Sequence, residues 1–210
     1  MRLAPGAWRR ALVPAAAGVP LAFVHPFAGA AALLLTAGVL AFFRDPERSP
    51  PAEGVVAPAD GRVSVVRAEE APTDSGDTAH RQRVGVFMNV TDVHVNRAPL
   101  GGTVRDVTHE PGAHRPAFSK ESDRNEKLRI RVEAGGGDEY EVVLIAGWFA
   151  RRIRPYVEPG DELARGQRIG HVAFGSRADV VFPPGVDRED LRVGTGEGVR
   201  AGETVVADEP

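Results

Sequence analysis

The chain has 210 residues, a formal net charge of −3 and no cysteine. That length suggests one catalytic-size domain with an appendage, and the charge balance supplies no global basic field for nucleic acid. Without cysteine, disulfides, thiol nucleophiles and cysteine metal sites are excluded. The 24 Gly and 17 Pro make the chain rich in turns. Few aromatics and many short valine-rich runs favour strands over long soluble helices.

Arg2, Arg9 and Arg10 surround Trp8, and the 33 residues from Ala11 to Phe43 then contain no Asp, Glu, Lys or Arg. Charge returns at Arg44-Asp45-Pro46-Glu47-Arg48. This run exceeds the roughly 20 residues that one helix needs to cross a bilayer. Pro14, Pro20 and Pro26 interrupt its first half, whereas Phe27 to Phe43 is a cleaner helical segment. Basic residues at both ends leave a single pass without direction. A helical hairpin entering and leaving on the cytoplasmic side fits length and flanks. A signal peptide would have a shorter apolar core followed by a small-residue cleavage site. Residues 1–48 are therefore expected to form a hydrophobic helical segment. It would associate with anionic lipids of the cell membrane, leaving residues 49–210 as a cytoplasmic-side domain.

From Ser49 the pattern changes to short strands. Val55 to Val66 reads as strand, Asp60-Gly61 turn, strand. Residues 72–83 are polar and read as a loop, and 84–90 as another strand. Gly101-Gly102 restarts strand pattern to Val107, and the polar stretch 110–126 is too long for a simple hairpin connection. Leu128 to Val132 and Tyr140 to Ala146 alternate about Gly135-Gly136-Gly137-Asp138, a hairpin. Residues 157–170 carry paired glycine turns that 198–206 loosely echo. The expected fold is mainly β, a β-rich α+β arrangement: a hybrid β-sandwich or barrel behind an N-terminal helical hairpin.

Phe174-Gly175-Ser176 lies near the end of this pattern. Gly175 would allow a hydroxyl close to its carbonyl and tolerate strained dihedrals. Ser176 supplies a hydroxyl that needs a nearby base to become a nucleophile. A Gly-Ser hairpin turn is the plain alternative. Asp60 reads equally as a turn aspartate, and His94 as a structural histidine or a general acid/base near neutral pH.

Six stretches in order carry a family pattern. They are Phe43-Arg44-Asp45-Pro46-Glu47-Arg48, Ala57-Pro58-Ala59-Asp60-Gly61, Asp92-Val93-His94-Val95-Asn96-Arg97-Ala98-Pro99, Lys120-Glu121-Ser122-Asp123-Arg124-Asn125-Glu126, Ile145-Ala146-Gly147 and Phe174-Gly175-Ser176. In this order and spacing the chain resembles the phosphatidylserine decarboxylases, in their short bacterial and archaeal form, over essentially its whole length. The resemblance implies a proenzyme that cuts itself between Gly175 and Ser176. A β chain of residues 1–175 and an α chain of 176–210 would stay associated as a heterodimer. Former Ser176 would become a covalent pyruvoyl group, the cofactor. That group would form a Schiff base with phosphatidylserine and act as the electron sink for carbon dioxide loss, as pyridoxal phosphate does elsewhere. Phosphatidylethanolamine would be released, and no metal is expected.

By the same resemblance Ser176, His94 and Asp60 are the catalytic candidates. Longer members have Asp-x-His-x-x-His, and Arg97 stands at the second histidine place here. His94 would then serve both self-cleavage and decarboxylation, with Asp60 orienting it or sharing its proton. His114 could assist, or Arg97 could hold a phosphate or carboxylate. Arg151, Arg152 and Arg154 follow Trp148-Phe149 and suit the lipid phosphate or an anionic surface, or else form a solvated basic edge. The charge run 120–126 would be a wall of the site. Two rival readings are a His/Asp metal-dependent hydrolase and a non-catalytic lipoyl-like binding module. The first lacks tight ligand spacing among His94, His109, His114 and Asp60. The second lacks a modifiable lysine at Gly160-Asp161 or Gly166-Gln167.

Overall fold

The computed structural model describes residues 2–72, 78–113, 115, 117, 120–147, 153–173 and 175–209. The chain divides into two compact units, 1–47 and 48–210.

In the first unit, β1 (Arg2–Leu3) pairs antiparallel with β2 (Arg44–Asp45), closing a loop around α1 (Ala7–Val24) and α2 (Pro26–Phe42). α1 runs continuously through Pro14 and Pro20, contrary to the interruption expected there. The break comes at His25, whose backbone leaves the helical region (φ −136°, ψ 89°), with Pro26 at the start of α2, where a missing N–H is harmless. The helices pack closely: a Cβ on Gly29 would lie 2.3 Å from Ala22 Cα. Trp8, Phe23, Val24, Phe27 and Leu34 remain exposed. Neither helix is long and apolar enough by itself to cross a membrane.

The second unit holds β3 (Val55–Val56), β4 (Gly61–Pro72), β5 (Thr78–Phe87), β6 (Val95–Arg97) and β7 (Gly102–Glu110). β8 (Lys127–Glu133), β9 (Glu139–Ile145), β10 (Ile153–Pro155), β11 (Glu162–Leu163) and β12 (Arg168–Val172) follow. β13 (Arg177–Val181), β14 (Gly198–Val199) and β15 (Val205–Ala207) complete it. Eight strands form one curled antiparallel sheet in the order β11-β7-β8-β9-β13-β5-β4-β14. A separate sheet has the order β10-β12-β6, and β15 pairs with β3. The protein is mainly β, as expected.

Period-2 alternation sorts the large sheet's faces. Val84, Val86, Leu128, Ile130, Val142, Leu144, Ala178 and Val180 enter the main core. Val143, Ile145 and Val181 form a smaller cluster of their own. Each fully buried Val, Leu or Ile contributes roughly 1.5–3 kcal/mol relative to exposure. The 128–146 hairpin is present as β8 and β9. Two local expectations fail. Asp60-Gly61 is not a hairpin turn, because Val55–Val56 pairs with Val205–Ala207 and not with the strand after Gly61. Residues 78–83, read as loop from their polarity, are strand, because Arg83 pairs with Glu69 and Asp179 instead of with water.

Candidate active site

The Gly175–Ser176 bond lies where the chain leaves one sheet for another. β12 ends at Val172 beside β6, and β13 begins at Arg177 between β5 and β9. Gly175 is left-handed, φ +61°, and among the described residues, its chain neighbours aside, no atom lies within 4 Å of the place a Cβ would occupy. Backbone conformation, not space, therefore selects glycine, since a side chain there costs about 1–2 kcal/mol. Ser176 is fully buried. Its carbonyl accepts the Met88 N–H at 2.9 Å, and its Oγ faces Met88 Sδ at 4.0 Å.

Four more groups gather at the Met88 end of β5. Asn96 is fully buried on β6 and donates from Nδ2 to the same sulfur at 3.4 Å. His94, 2% exposed, has Nδ1 2.9 Å from the Asp92 carbonyl. A ring nitrogen facing a carbonyl carries the proton, so Nε2 is the basic nitrogen of the neutral ring. The His94 carbonyl accepts the N–H of Val172, at the end of β12. Asp92 closes the turn before His94 by accepting the Asn89 N–H at 2.7 Å.

Asp60 precedes Gly61, whose Cα packs so tightly on β5 that a Cβ would stand 2.1 Å from the Phe87 carbonyl. Its carboxylate takes two bonds from Arg48 Nη2, at 3.0 and 2.7 Å, and the Ala201 N–H at 2.8 Å. Burial pushes the Asp60 carboxyl up and outweighs the lowering by Ala201 and Arg48; the nearby Asp92 charge adds to the rise. Ser176, His94 and Asp60 are thus brought to one end of the sheet. The sequence alone gives Arg48 no role; only the fold brings it to Asp60.

The other candidates are placed differently. Arg97 is buried, and its Nη1 donates to the Gly166 carbonyl at 2.8 Å while its stem packs against Gly202. It thereby ties together the two glycine turns that echo one another. Arg154 is exposed on β10. His114, Arg151 and Arg152 lie outside the described residues. His109 is exposed and pairs with Glu126 at 2.8 Å. Among the described residues no group of three or more His, Asp or Glu gathers as a metal site.

Sequence reasoning missed a buried ion network on the opposite face of β13. Arg177 grips Asp179 through two bonds, at 2.7 and 2.9 Å, and reaches Ser122 and Asp123 at 2.7 Å each. Arg83 binds Asp179 at 2.7 Å and Glu69 at 2.9 Å. Burial works to raise the Asp123 carboxyl, but bonds from Arg177 and Arg67 outweigh it and hold the group at about 2. The 120–126 segment is thereby pinned beside residue 176. Buried Asn125 fixes its far end to the Ala146 carbonyl at 2.8 Å.

The sequence pattern described as phosphatidylserine decarboxylase matches residues 35–207. The chain belongs to the phosphatidylserine decarboxylase family. The family match runs from within α2 to β15 and so contains every site residue named above. A Halobacterium salinarum protein, provisionally named an archaetidylserine decarboxylase proenzyme, is 57% identical over 97% of each chain. The phosphatidylserine decarboxylase proenzyme of Streptomyces avermitilis is 45% identical over 92% of this chain and 88% of its own. A Methanococcoides burtonii protein, also provisionally an archaetidylserine decarboxylase proenzyme, is 44% identical over 83% and 77%.

Proposed function

We propose that this chain cuts itself at Gly175–Ser176 and then decarboxylates phosphatidylserine to phosphatidylethanolamine. The observation that carries the reading is the buried Ser176 behind a left-handed Gly175, at the junction of two sheets that also bring His94 and Asp60. The relatives' proenzyme names support the self-cleavage.

In the first step Ser176 Oγ loses its proton to a base, His94, and attacks the Gly175 carbonyl carbon. The C–N bond breaks, the Ser176 nitrogen takes a proton, and an ester remains. Removal of the Ser176 α-proton then expels the Gly175 carboxylate, leaving a dehydroalanine. Its enamine tautomerises to an imine, and water replaces the nitrogen, which leaves as ammonia. No oxidant is required. Ser176 fits this chemistry: its burial keeps bulk water from the ester. The pyruvoyl group so formed would supply an electrophilic ketone for the serine amine and an electron sink for the loss of carbon dioxide.

The remaining steps belong to the chain's own side chains. His94 Nε2 moves protons, and Arg48 keeps the Asp60 carboxylate oriented beside the His94 turn. The 35-residue α chain (176–210) would remain bound, because β13 is hydrogen-bonded on both edges and β14 and β15 pair with β4 and β3. The exposed apolar residues of α1 and α2 would enter an anionic membrane surface from its cytoplasmic side.

Mass spectrometry tests the reading. Wild-type protein should yield two fragments, the smaller N-terminally blocked, and Ser176→Ala one intact chain without activity. An uncut wild-type chain that still decarboxylates would overturn it. Assaying phosphatidylserine beside archaetidylserine shows whether the serine head group alone is recognised.

A further inference from the structure

We infer that Asn96, acting through the Met88 sulfur, is a positioning residue for Ser176 in the self-cleavage step. The inference rests on the self-processing reading above and adds residues that reading does not use.

Asn96 is fully buried in the β6 strand, where a polar amide needs a reason to be. Its Nδ2 donates to Met88 Sδ at 3.4 Å, and its Oδ1 has no hydrogen-bond partner among the described residues. A thioether is a weak acceptor, so the amide is poorly satisfied at both ends. A buried polar atom left unsatisfied is destabilising, and such exceptions gather where function demands them. An apolar side chain of similar shape would fit this site at lower cost.

The same sulfur faces Ser176 Oγ at 4.0 Å, the long limit of an O–H···S contact. Met88 is also the residue whose N–H holds the Ser176 carbonyl. One methionine therefore touches residue 176 through both backbone and side chain, and Asn96 fixes where its sulfur stands. Met is otherwise flexible, with three rotatable bonds, and would not hold a hydroxyl in one place unaided. With the sulfur pinned, the serine proton rests on a weak acceptor. A base can then remove it and Oγ can turn to the Gly175 carbonyl. Displacing reacting atoms by about 1 Å can cost about 10²-fold in rate.

The experiment follows chain splitting in newly folded full-length protein, together with thermal stability. Asn96→Leu should slow splitting about 10- to 100-fold, as misplacement does. It should leave the melting temperature unchanged or higher, because the unsatisfied amide is gone. A merely structural Asn96 would give the opposite pairing, lower stability with normal splitting. Met88→Leu should slow splitting similarly, and the double variant should be no slower than the slower single, since both act along one path. Wild-type splitting in Asn96→Leu, or multiplying effects in the double variant, overturns the inference. An uncut wild-type chain would instead strike the self-processing reading beneath it.

Discussion

The three-stranded sheet and the eight-stranded sheet make unlike contributions at the bond between them. The small sheet brings His94 and Asn96 to the site, and its own strand ends four residues before Ser176. The large sheet holds the other side of the bond, with β13 paired on both edges and Arg177 and Asp179 locked in a buried ion network. In the proposed reading one side would supply proton chemistry, and the other holds the strand that begins just after Ser176. Reactivity and rigidity are therefore separable by mutation.

The largest expected effect tests the small sheet's chemistry. His94→Gln should slow chain splitting about 10²- to 10⁴-fold, the range for losing a general base. Normal splitting with lost lipid turnover would confine His94 to the later chemistry. On the large-sheet side, Asp179→Ala removes the fully buried carboxylate shared by two buried arginines and leaves them only the more exposed Asp123 and Glu69. Chemical denaturation should show a loss of about 3–5 kcal/mol, the figure for breaking a buried pair. A loss under about 1 kcal/mol, as for a surface pair, would erase the contrast between the sheets. Tyr156, just beyond β10, pairs its hydroxyl with His171 Nδ1 at 2.7 Å. Tyr156→Phe should cost about 0.5–1.5 kcal/mol and leave the splitting rate unchanged.

The smallest effect is acid-dependent. Asp123 has a folded-state pKa of about 2 against an ordinary 3.8. A depressed carboxyl adds stability above its unfolded value and loses it as pH falls through the folded one. Melting curves between about pH 4 and 2 should therefore fall less steeply in Asp123→Asn than in wild type. Parallel slopes would separate the 120–126 segment from the β13 network.

Much of this organisation was legible in residue order. The β8–β9 hairpin followed from alternation about three glycines, and the helical pair from a long uncharged run. The family motifs pointed to Ser176, His94 and Asp60 before their positions were known. What could not be read was long-range pairing. Residues 78–83 looked like loop because polarity usually means solvent, yet Arg83 is buried against Asp179 from a strand 96 positions away. Arg48 and Asp60 are 12 apart in sequence with nothing local to join them, because strand β3 and a bend on each side of it intervene. Asn96 lies between His94 and Arg97 in sequence, but only the position of the Met88 sulfur gives it a reason.

β13 is a central strand, and it would belong wholly to the smaller product of the cut. A translated 1–175 piece alone would carry a sheet with an open slot between β5 and β9, sticky and unable to close. The proposed scission would therefore have to follow folding of the whole chain. The two products of that cut would resemble a split protein whose halves were matched before they were parted, with no route back to the fold once unfolded.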